Sequence, residues 1–275
     1  MLQRIRALIG STHPGPGFAV TLITVLLGVS SGLDVGRIVL LGVAMAFDQS
    51  SVGLSNDWID ADRDRAVGRT DKPVASGAIS RSAVRTAAFV STALALAFTV
   101  PLGWRALTLH AALIAIAWSY NAVLKSTVVS FLPYAVCFGL LPALVTLARP
   151  EPLWPVAWVI AAGALLGTGA HFANVLPDLE DDRRTGVRGL GHRIGRLPTI
   201  LVTWIAFASA DVVLAVGLAF SPVAIVGLAI GLTVAVIGVA LAVTRPPTRW
   251  QFRLVILGAF VDVVLLVLSG PAILG

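Results

Sequence analysis

Residues 36–64 read GRIVLLGVAMAFDQSSVGLSNDWIDADRD, and this stretch changes character at Asn56. Residues 36–55 are mostly apolar, whereas residues 56–64 contain four aspartates. An α-helix needs about 20 mostly apolar residues to cross the hydrocarbon layer of a membrane. We therefore predict a transmembrane helix over 36–55 that leads directly into an acidic segment.

The rest of the chain is similarly apolar. Hydrophobic side chains make up 57% of its 275 residues and charged side chains only 12%, whereas ordinary soluble domains have about 25% charged residues. Nine stretches are long and apolar enough to span a membrane, and they cover residues 17–33, 36–55, 83–102, 104–121, 127–148, 153–176, 197–219, 222–243 and 252–272. Composition therefore predicts an all-α integral membrane protein with about nine transmembrane helices.

The net charge of +6 follows a membrane pattern and does not predict a nucleic-acid partner. Cytoplasmic loops of membrane proteins collect Lys and Arg. With nine spans, 17 of the 20 basic residues fall on one side of the membrane, the exceptions being Arg37, Arg105 and Arg149. We therefore predict a cytoplasmic N-terminus and an external C-terminus. The preference for Arg over Lys is typical of a GC-rich bacterial genome, which predicts the plasma membrane as the location.

Acidic residues are concentrated in two short windows on the predicted cytoplasmic side. Together the windows hold nine of the 14 acidic residues, namely Asp57, Asp60, Asp62, Asp64, Asp71, Asp178, Glu180, Asp181 and Asp182. On a helix, the spacing i, i+3, i+7 places Asp57, Asp60 and Asp64 on one face. The spacing i, i+4 aligns Asp178 with Asp182. We expect the two carboxylate faces to meet across a cavity.

Two carboxylate sets of this kind are suited to a hard cation. Magnesium in particular is held by a few carboxylates together with the oxygens of a substrate phosphate. Closely packed carboxylates repel one another unless a cation is present. The alternative is a solvated loop of interspersed acidic and basic residues, and two separate clusters on one side of the membrane argue against it. The sequence therefore predicts a Mg²⁺ site that binds a diphosphate.

The motifs Asn56-Asp57-x-x-Asp60-x-x-x-Asp64 and Asp178-x-x-x-Asp182 resemble the paired signature of UbiA-type prenyltransferases. Residues 69–77, RTDKPVASG, are similar to the basic loop that follows the first motif in that family. The resemblance extends over the whole chain and implies the family's fold of nine helices, arranged as two four-helix units plus one.

The position of the motifs also indicates an internal duplication, because each motif follows the second helix of a four-helix unit. We expect a single polytopic membrane domain over 1–275. Its parts are a first repeat at about 17–121 with the motif 56–64, a second repeat at about 127–243 with the motif 178–182, and an extra helix at about 252–272.

The resemblance also implies roles for individual residues. The implied Mg²⁺ ligands, which hold the diphosphate of an allylic prenyl donor through the metal, are Asn56, Asp57, Asp60, Asp64, Asp178 and Asp182. The aspartates of this set and Tyr120 are the implied catalytic residues. Arg69 and Lys72 are expected to contact the diphosphate oxygens directly.

Tyr120 and Lys125 are similar to a tyrosine and a lysine that the family places after its fourth helix. The tyrosine ring is expected to stabilise a carbocation, and the lysine is expected to bind the diphosphate. An interface tyrosine and a snorkelling lysine explain the same two residues equally well. Both interpretations are open at this point.

Four further residues are candidates of second rank: Asn174, Asp181, Asp48 and His171. The resemblance implies that Asn174, one helical turn before the second motif, extends the second site, and Asp181 lies on the flank of that motif. Asp48 is an intramembrane carboxylate that either contacts the acceptor or bonds another helix. His171 either orients the acceptor or is a packed, hydrogen-bonded residue.

The sequence therefore predicts an enzyme that transfers a prenyl group from an allylic prenyl diphosphate to an aromatic or other lipid-pathway acceptor. Mg²⁺ is the expected cofactor, and ionisation of the diphosphate at the two Asp-rich motifs is the expected first step. A membrane terpene cyclase of the same fold is one alternative, because the carbocation can also be quenched internally. A cation or solute transporter is a weaker alternative, since its acids should lie near the bilayer midplane.

Overall fold

The computed structural model describes residues 2–179, 186–244, 249–268 and 270–274. Every regular element in these ranges is helical. The α-helices are α1 (Leu2–Ser11), α2 (Pro14–Ser30), α3 (Val35–Ala66), α4 (Arg81–Thr99), α5 (Trp104–Ala122), α6 (Leu132–Leu147), α7 (Ala157–Val175), α8 (Leu190–Ile194), α9 (Arg196–Gly217), α10 (Pro222–Thr244) and α11 (Arg249–Leu268). The prediction of an all-α fold is confirmed.

Each of the nine predicted stretches overlaps one of these helices. Five of the described helices, α3, α4, α7, α9 and α10, are long and apolar enough to cross a membrane. The pair α1 and α2, bent by 60°, qualifies as a sixth span when the two are taken together. The chain is therefore a multi-pass membrane protein, while the count of nine crossings stays a prediction.

Helix α3 is longer than its predicted apolar span. It begins after Asp34, whose side chain accepts a hydrogen bond from the backbone N–H of Arg37. It then runs for 32 residues and ends at Ala66, followed by Gly68 at a φ of 72°. The first acidic segment is consequently the last part of a transmembrane helix and not a loop.

The chain forms two compact units, and the first contains α1 to α5 together with residues 147–152. In this unit α3 packs along α4 and α5. Three aromatic rings form the contact beside the acidic segment. The ring centroid of Trp58 lies 5.8 Å from that of Phe89 and 6.0 Å from that of Trp118, and the centroids of Phe89 and Trp118 are 5.1 Å apart. These rings hold one face of α3 against its two neighbours.

Hydrogen bonds fix the axial position of α3 against α5. The side-chain amide of Asn121 donates to the carbonyl oxygen of Val52 at 2.9 Å and to the hydroxyl of Ser55 at 2.8 Å. The indole N–H of Trp118 donates to the hydroxyl of Ser51 at 3.3 Å. Because these contacts lie within the two turns before the acidic segment, they also fix where its side chains point.

The second unit contains α6 to α11 together with residues 30–32. Helix α9 packs against α7 and α10, around a core that contains Trp204 and Phe207. Helix α7 presents Gly163 and Gly167 to α6. A Cβ at these positions would lie 2.5 Å from the carbonyl oxygen of Phe138 and 2.3 Å from that of Tyr134. The two backbones can approach this closely only because the residues on α7 are glycines.

Candidate active site

The last turns of α3 carry Asp57, Asp60 and Asp64 on one side of the helix, as the spacing predicts. We call these three residues the acid face. Their side chains are 0%, 6% and 8% exposed, respectively. By contrast, the side chain of Asp62 is 71% exposed and pairs with arginines on the surface. Buried carboxylates are costly without a counter-charge, so the partners of the acid face matter.

Asp57 has the most enclosed carboxylate of the three. Its Oδ1 accepts a hydrogen bond from the Lys72 amine at 2.7 Å and lies 3.0 Å from Nε2 of His13. The same Lys72 amine lies 3.2 Å from Oδ1 of Asn56 and 3.0 Å from Nε2 of His13. Within the described residues, Oδ2 of Asp57 is buried without a hydrogen-bond partner. That oxygen is left to take another ligand.

Asp60 and Asp64 share an arginine. Nη2 of Arg63 lies 2.8 Å from Oδ2 of Asp60 and 3.9 Å from Oδ1 of Asp64. The side-chain amide of Asn56 also donates to Oδ2 of Asp60 at 3.1 Å. The acid face thus has one cation for its first carboxylate and one for its other two.

The loop after α3 folds back towards the acid face. The backbone N–H of Arg69 donates to the carbonyl oxygen of Asp64 at 3.0 Å, and this turn places Lys72 beside Asp57. The side chain of Arg69 instead makes two 2.9 Å bonds to the carboxylate of Asp71. These bonds hold the pKa of the Asp71 carboxyl below its usual range. Of the two predicted diphosphate contacts, Lys72 lies at the acid face and Arg69 pairs with Asp71.

His13 is a site contact that sequence reasoning missed. It lies in the turn between α1 and α2 at a φ of 51°. The turn rests on α3 at Gly53, where a Cβ would lie only 2.3 Å from the carbonyl oxygen of Thr12. The only sequence signal for His13 is a histidine in a polar turn before the first apolar stretch.

Tyr120 and Lys125 lie close to where the sequence predicts them. Tyr120 is half-buried in the last turn of α5, next to Asn121. Lys125 is half-buried in a 3₁₀ turn, Leu124–Ser126, that follows that helix. These positions are compatible with both the catalytic and the interfacial role, so the two roles of Tyr120 and Lys125 stay predictions.

The second motif follows α7. That helix ends at Val175, and a 3₁₀ turn, Leu176–Asp178, continues it. The side chain of Asp178 and the whole of Asp181 and Asp182 lie outside the described residues. Asn174 is exposed in the last turn of α7. The roles of the second motif therefore stay predictions.

His171 lies in α7 and is 1% exposed. Its Nε2 is 3.1 Å from the hydroxyl of Ser130, which also accepts a hydrogen bond from the backbone N–H of Leu190 at 3.1 Å. The ring of Tyr134 packs against His171 with a centroid distance of 5.2 Å. These contacts match the packed, hydrogen-bonded interpretation, and through Ser130 they connect the start of α8 to α7.

Asp48 is buried in the middle of α3. Its Oδ2 lies 3.6 Å from Nε2 of His110 on α5, and Nδ1 of His110 lies 2.7 Å from the hydroxyl of Thr99 at the end of α4. Nine residues of α-helix turn through about two and a half turns, so Asp48 is on the opposite side of α3 from Asp57. Of the two interpretations of Asp48, this geometry matches the contact between helices.

The acid face can be tested for its fit to Mg²⁺. Among the residues whose side chains are described, no three His, Cys, Asp or Glu residues form a closed metal site. The amide oxygen of Asn56 and the three carboxylates are nevertheless hard ligands of the type that Mg²⁺ prefers, and none of the described residues bonds to the buried Oδ2 of Asp57. The residues fit an open site in which substrate oxygens and water supply the remaining ligands.

Solved structures of UbiA homologues have the same fold as this chain. An apo homologue from Aeropyrum pernix K1 has a TM-score of 0.73 at 18% identity, with 96% of this chain and 98% of that chain covered. A homologue from Archaeoglobus fulgidus, bound to GPP and Mg²⁺, has a TM-score of 0.71 at 15% identity, with coverage of 96% and 99%. A structure of digeranylgeranylglyceryl phosphate synthase has a TM-score of 0.74 at 14% identity, with coverage of 98% and 99%.

The sequence itself provides an independent comparison. No curated relative matches the chain. The model of the UbiA prenyltransferase family, however, matches residues 17–269, which include α3 with its acid face and both predicted motifs. The chain belongs to the UbiA prenyltransferase family.

Proposed function

We propose that this protein transfers a prenyl group from an allylic prenyl diphosphate to an aromatic or other lipid-pathway acceptor, with Mg²⁺ as cofactor. The observation that carries the proposal is the acid face at the end of a transmembrane helix, buried and bordered by Lys72 and Arg63. Family membership supports it. Homologues from Archaeoglobus fulgidus that share the fold were solved with GPP or DMAPP and Mg²⁺.

The proposed metal ligands in the first motif are Asn56 and the acid face, and Asp178 and Asp182 are proposed as further ligands on the strength of the motif resemblance. Bound Mg²⁺ would neutralise the negative charge that develops on the leaving diphosphate. We assign Lys72, Arg69 and Lys125 to the diphosphate oxygens, because cations placed there favour cleavage of the carbon–oxygen bond.

Cleavage of that bond leaves an allylic carbocation on the prenyl chain, and the protein must protect it until the acceptor attacks. We assign the ring of Tyr120 to its stabilisation, since the face of an aromatic ring attracts cations. The apolar helices provide a lining that excludes water from the prenyl chain. The acceptor gives up a proton as its new bond to the prenyl carbon forms, and diphosphate is the leaving group.

We also propose the plasma membrane as the location, with the N-terminus and the acid face on the cytoplasmic side and the C-terminus outside. The support is the charge distribution, because basic residues collect in cytoplasmic loops. Residues 63–85, from the last turn of α3 to the first turns of α4, alone contain six of them. A soluble prenyl diphosphate would reach the site from that side.

The direct test is release of diphosphate from geranyl, farnesyl and geranylgeranyl diphosphates by the purified protein in detergent, with Mg²⁺ and with EDTA. We expect release that requires Mg²⁺ with at least one donor once a suitable acceptor is present. Mass spectrometry of the products would distinguish a prenylated acceptor from a cyclised terpene. If no donor binds or reacts under any of these conditions, the proposal is wrong and transport becomes the better hypothesis.

A further inference from the structure

The Lys72 amine occupies an unusually complete site. An ammonium group has three N–H donors and accepts nothing. Two oxygens accept from it, Oδ1 of Asp57 at 2.7 Å and Oδ1 of Asn56 at 3.2 Å. Nε2 of His13, at 3.0 Å, is the third acceptor in the tautomer that carries its proton on Nδ1. The side chain of Lys72 is 13% exposed. The ammonium group is therefore held in a fitted position and is not a mobile surface charge.

Two of these three acceptors, Asn56 and Asp57, are also proposed ligands of Mg²⁺. Oxygens that receive hydrogen bonds from an ammonium group have less electron density to offer a metal ion. Two cations that share the same oxygens also repel each other strongly in a site that water enters poorly. A metal bound through Asn56 Oδ1 or Asp57 Oδ1 therefore competes with the ammonium group for these oxygens. Oδ2 of Asp57, which has no hydrogen-bond partner among the described residues, stays open to the metal in either case.

The third acceptor, His13, comes from a different part of the chain. The turn that carries it and the end of α1 are held by contacts that do not involve the side chain of Lys72. Thr12 lies on Gly53, and Gly10 in α1 lies against Pro73, whose Cγ would be 3.3 Å from a Cβ added at Gly10. His13 is thus positioned in advance. Its role is to complete the environment of the ammonium group with an acceptor outside the first motif.

We propose that Lys72 is a tethered cation that occupies the first metal site before substrate binds, and that His13 stabilises it there. Mg²⁺ arriving with a prenyl diphosphate displaces the ammonium group from Asn56 and Asp57, and the released Lys72 turns to the diphosphate oxygens. The acid face therefore has a counter-charge before the metal binds, and metal loading is coupled to the arrival of the diphosphate. This inference rests on the proposed function, because it takes the acid face as the metal site.

The test is binding of Mn²⁺, as a substitute for Mg²⁺, to the purified full chain without any prenyl diphosphate. The signal of free Mn²⁺ in electron paramagnetic resonance measures the bound fraction at a fixed pH and ionic strength. We expect Lys72→Met and His13→Ala to bind Mn²⁺ more tightly than the wild type, each by roughly tenfold, as expected for the loss of a competing hydrogen bond to a charged group. Inorganic pyrophosphate should bind Lys72→Met more weakly in the presence of Mg²⁺.

Arg81→Gln is the matched control for the loss of a positive charge. Arg81 pairs with the exposed Asp62 and donates to the backbone carbonyl of Trp58, and within the described part of the chain it forms no ion pair with the acid face. We expect this variant to bind Mn²⁺ like the wild type. Size-exclusion chromatography and circular dichroism would show that each variant is folded.

Three outcomes would overturn the proposed exchange of Lys72 for the metal. The first is unchanged or weaker Mn²⁺ binding in both Lys72→Met and His13→Ala. The second is an equal gain in Mn²⁺ affinity in Arg81→Gln, and the third is no Mn²⁺ binding by the wild type or either variant. If the Mn²⁺ experiment fails, the proposed function is still judged by the diphosphate-release assay, since an enzyme can react with a Mg²⁺-bound diphosphate without any displacement of Lys72. If the diphosphate-release assay fails, tighter Mn²⁺ binding by the two variants would still show that Lys72 and His13 compete with a metal.

Discussion

At the scale of single residues, the spacing of the aspartates was the most informative feature of the sequence. Asp57, Asp60 and Asp64 share a face of a helix because helical geometry requires it. Their partners were not predictable in the same way. His13 is 44 positions from Asp57 in the sequence, and they meet only because a turn packs on α3. No local pattern carries that information.

Asn121 offers a test of how residues position the acid face. It is 2% exposed and makes two hydrogen bonds to α3. Asn121→Ala leaves Ser55 and the carbonyl of Val52 without that donor, so we expect a loss of about 1–2 kcal/mol in the free energy of unfolding. Reversible unfolding in mixed micelles measures this value. The exposed Asn174 provides the control, since Asn174→Ala should change stability little, and equal losses in both variants would contradict this account.

At the scale of helices, the apolar stretches of the sequence predicted nine helices correctly but did not predict all of their ends. Helix α3 continues for 11 residues past the predicted end of its apolar span, because the acidic segment has partners that compensate its charge. Helix α1 was not predicted, since it is short and mixes basic residues with exposed Leu2, Ile5 and Ile9. Such an amphipathic segment has too little apolar character to resemble a span.

Gly53 is the contact point between the α1–α2 turn and α3. A methyl group there would lie 2.3 Å from the carbonyl oxygen of Thr12. We therefore expect Gly53→Ala to push the turn away from α3 and to separate His13 from Asp57. We expect a loss of about 1–3 kcal/mol in stability and faster amide hydrogen exchange at residues 12–17. Gly15→Ala is the matched control, because no atom of the described residues lies within 4 Å of a Cβ at that position. Normal exchange in Gly53→Ala would show that the turn does not depend on this contact.

At the scale of the whole molecule, the motif pair and the apolar composition together were sufficient to predict the family and the all-helical fold. The two compact units of the structure do not by themselves establish an internal duplication, so the repeats at about 17–121 and 127–243 stay a prediction. The second motif was predictable as a pattern, yet its arrangement depends on side chains outside the described residues.

The direction of the chain in the membrane can be measured by cysteine labelling in intact cells. Cys137 is replaced by Ser, and single cysteines are introduced at Arg65, at Glu151 and after Gly275. We expect a membrane-impermeant maleimide to label the cysteines at Glu151 and at the C-terminus but not the one at Arg65. Labelling at Arg65 would reverse the proposed orientation, and a protected C-terminus would show that the number of crossings is even.

The central claim is that the acid face performs the diphosphate chemistry, and a comparison of two aspartates on the same helix tests it most directly. The measurement is the turnover number for diphosphate release in Asp57→Asn and Asp62→Asn, with the best donor and saturating Mg²⁺. Asp57→Asn should lower turnover by about a hundredfold or more, the usual effect of removing a group that stabilises developing charge, whereas Asp62→Asn should retain about half of it or more. Equal turnover in the two variants would contradict the assignment of the reaction to the acid face.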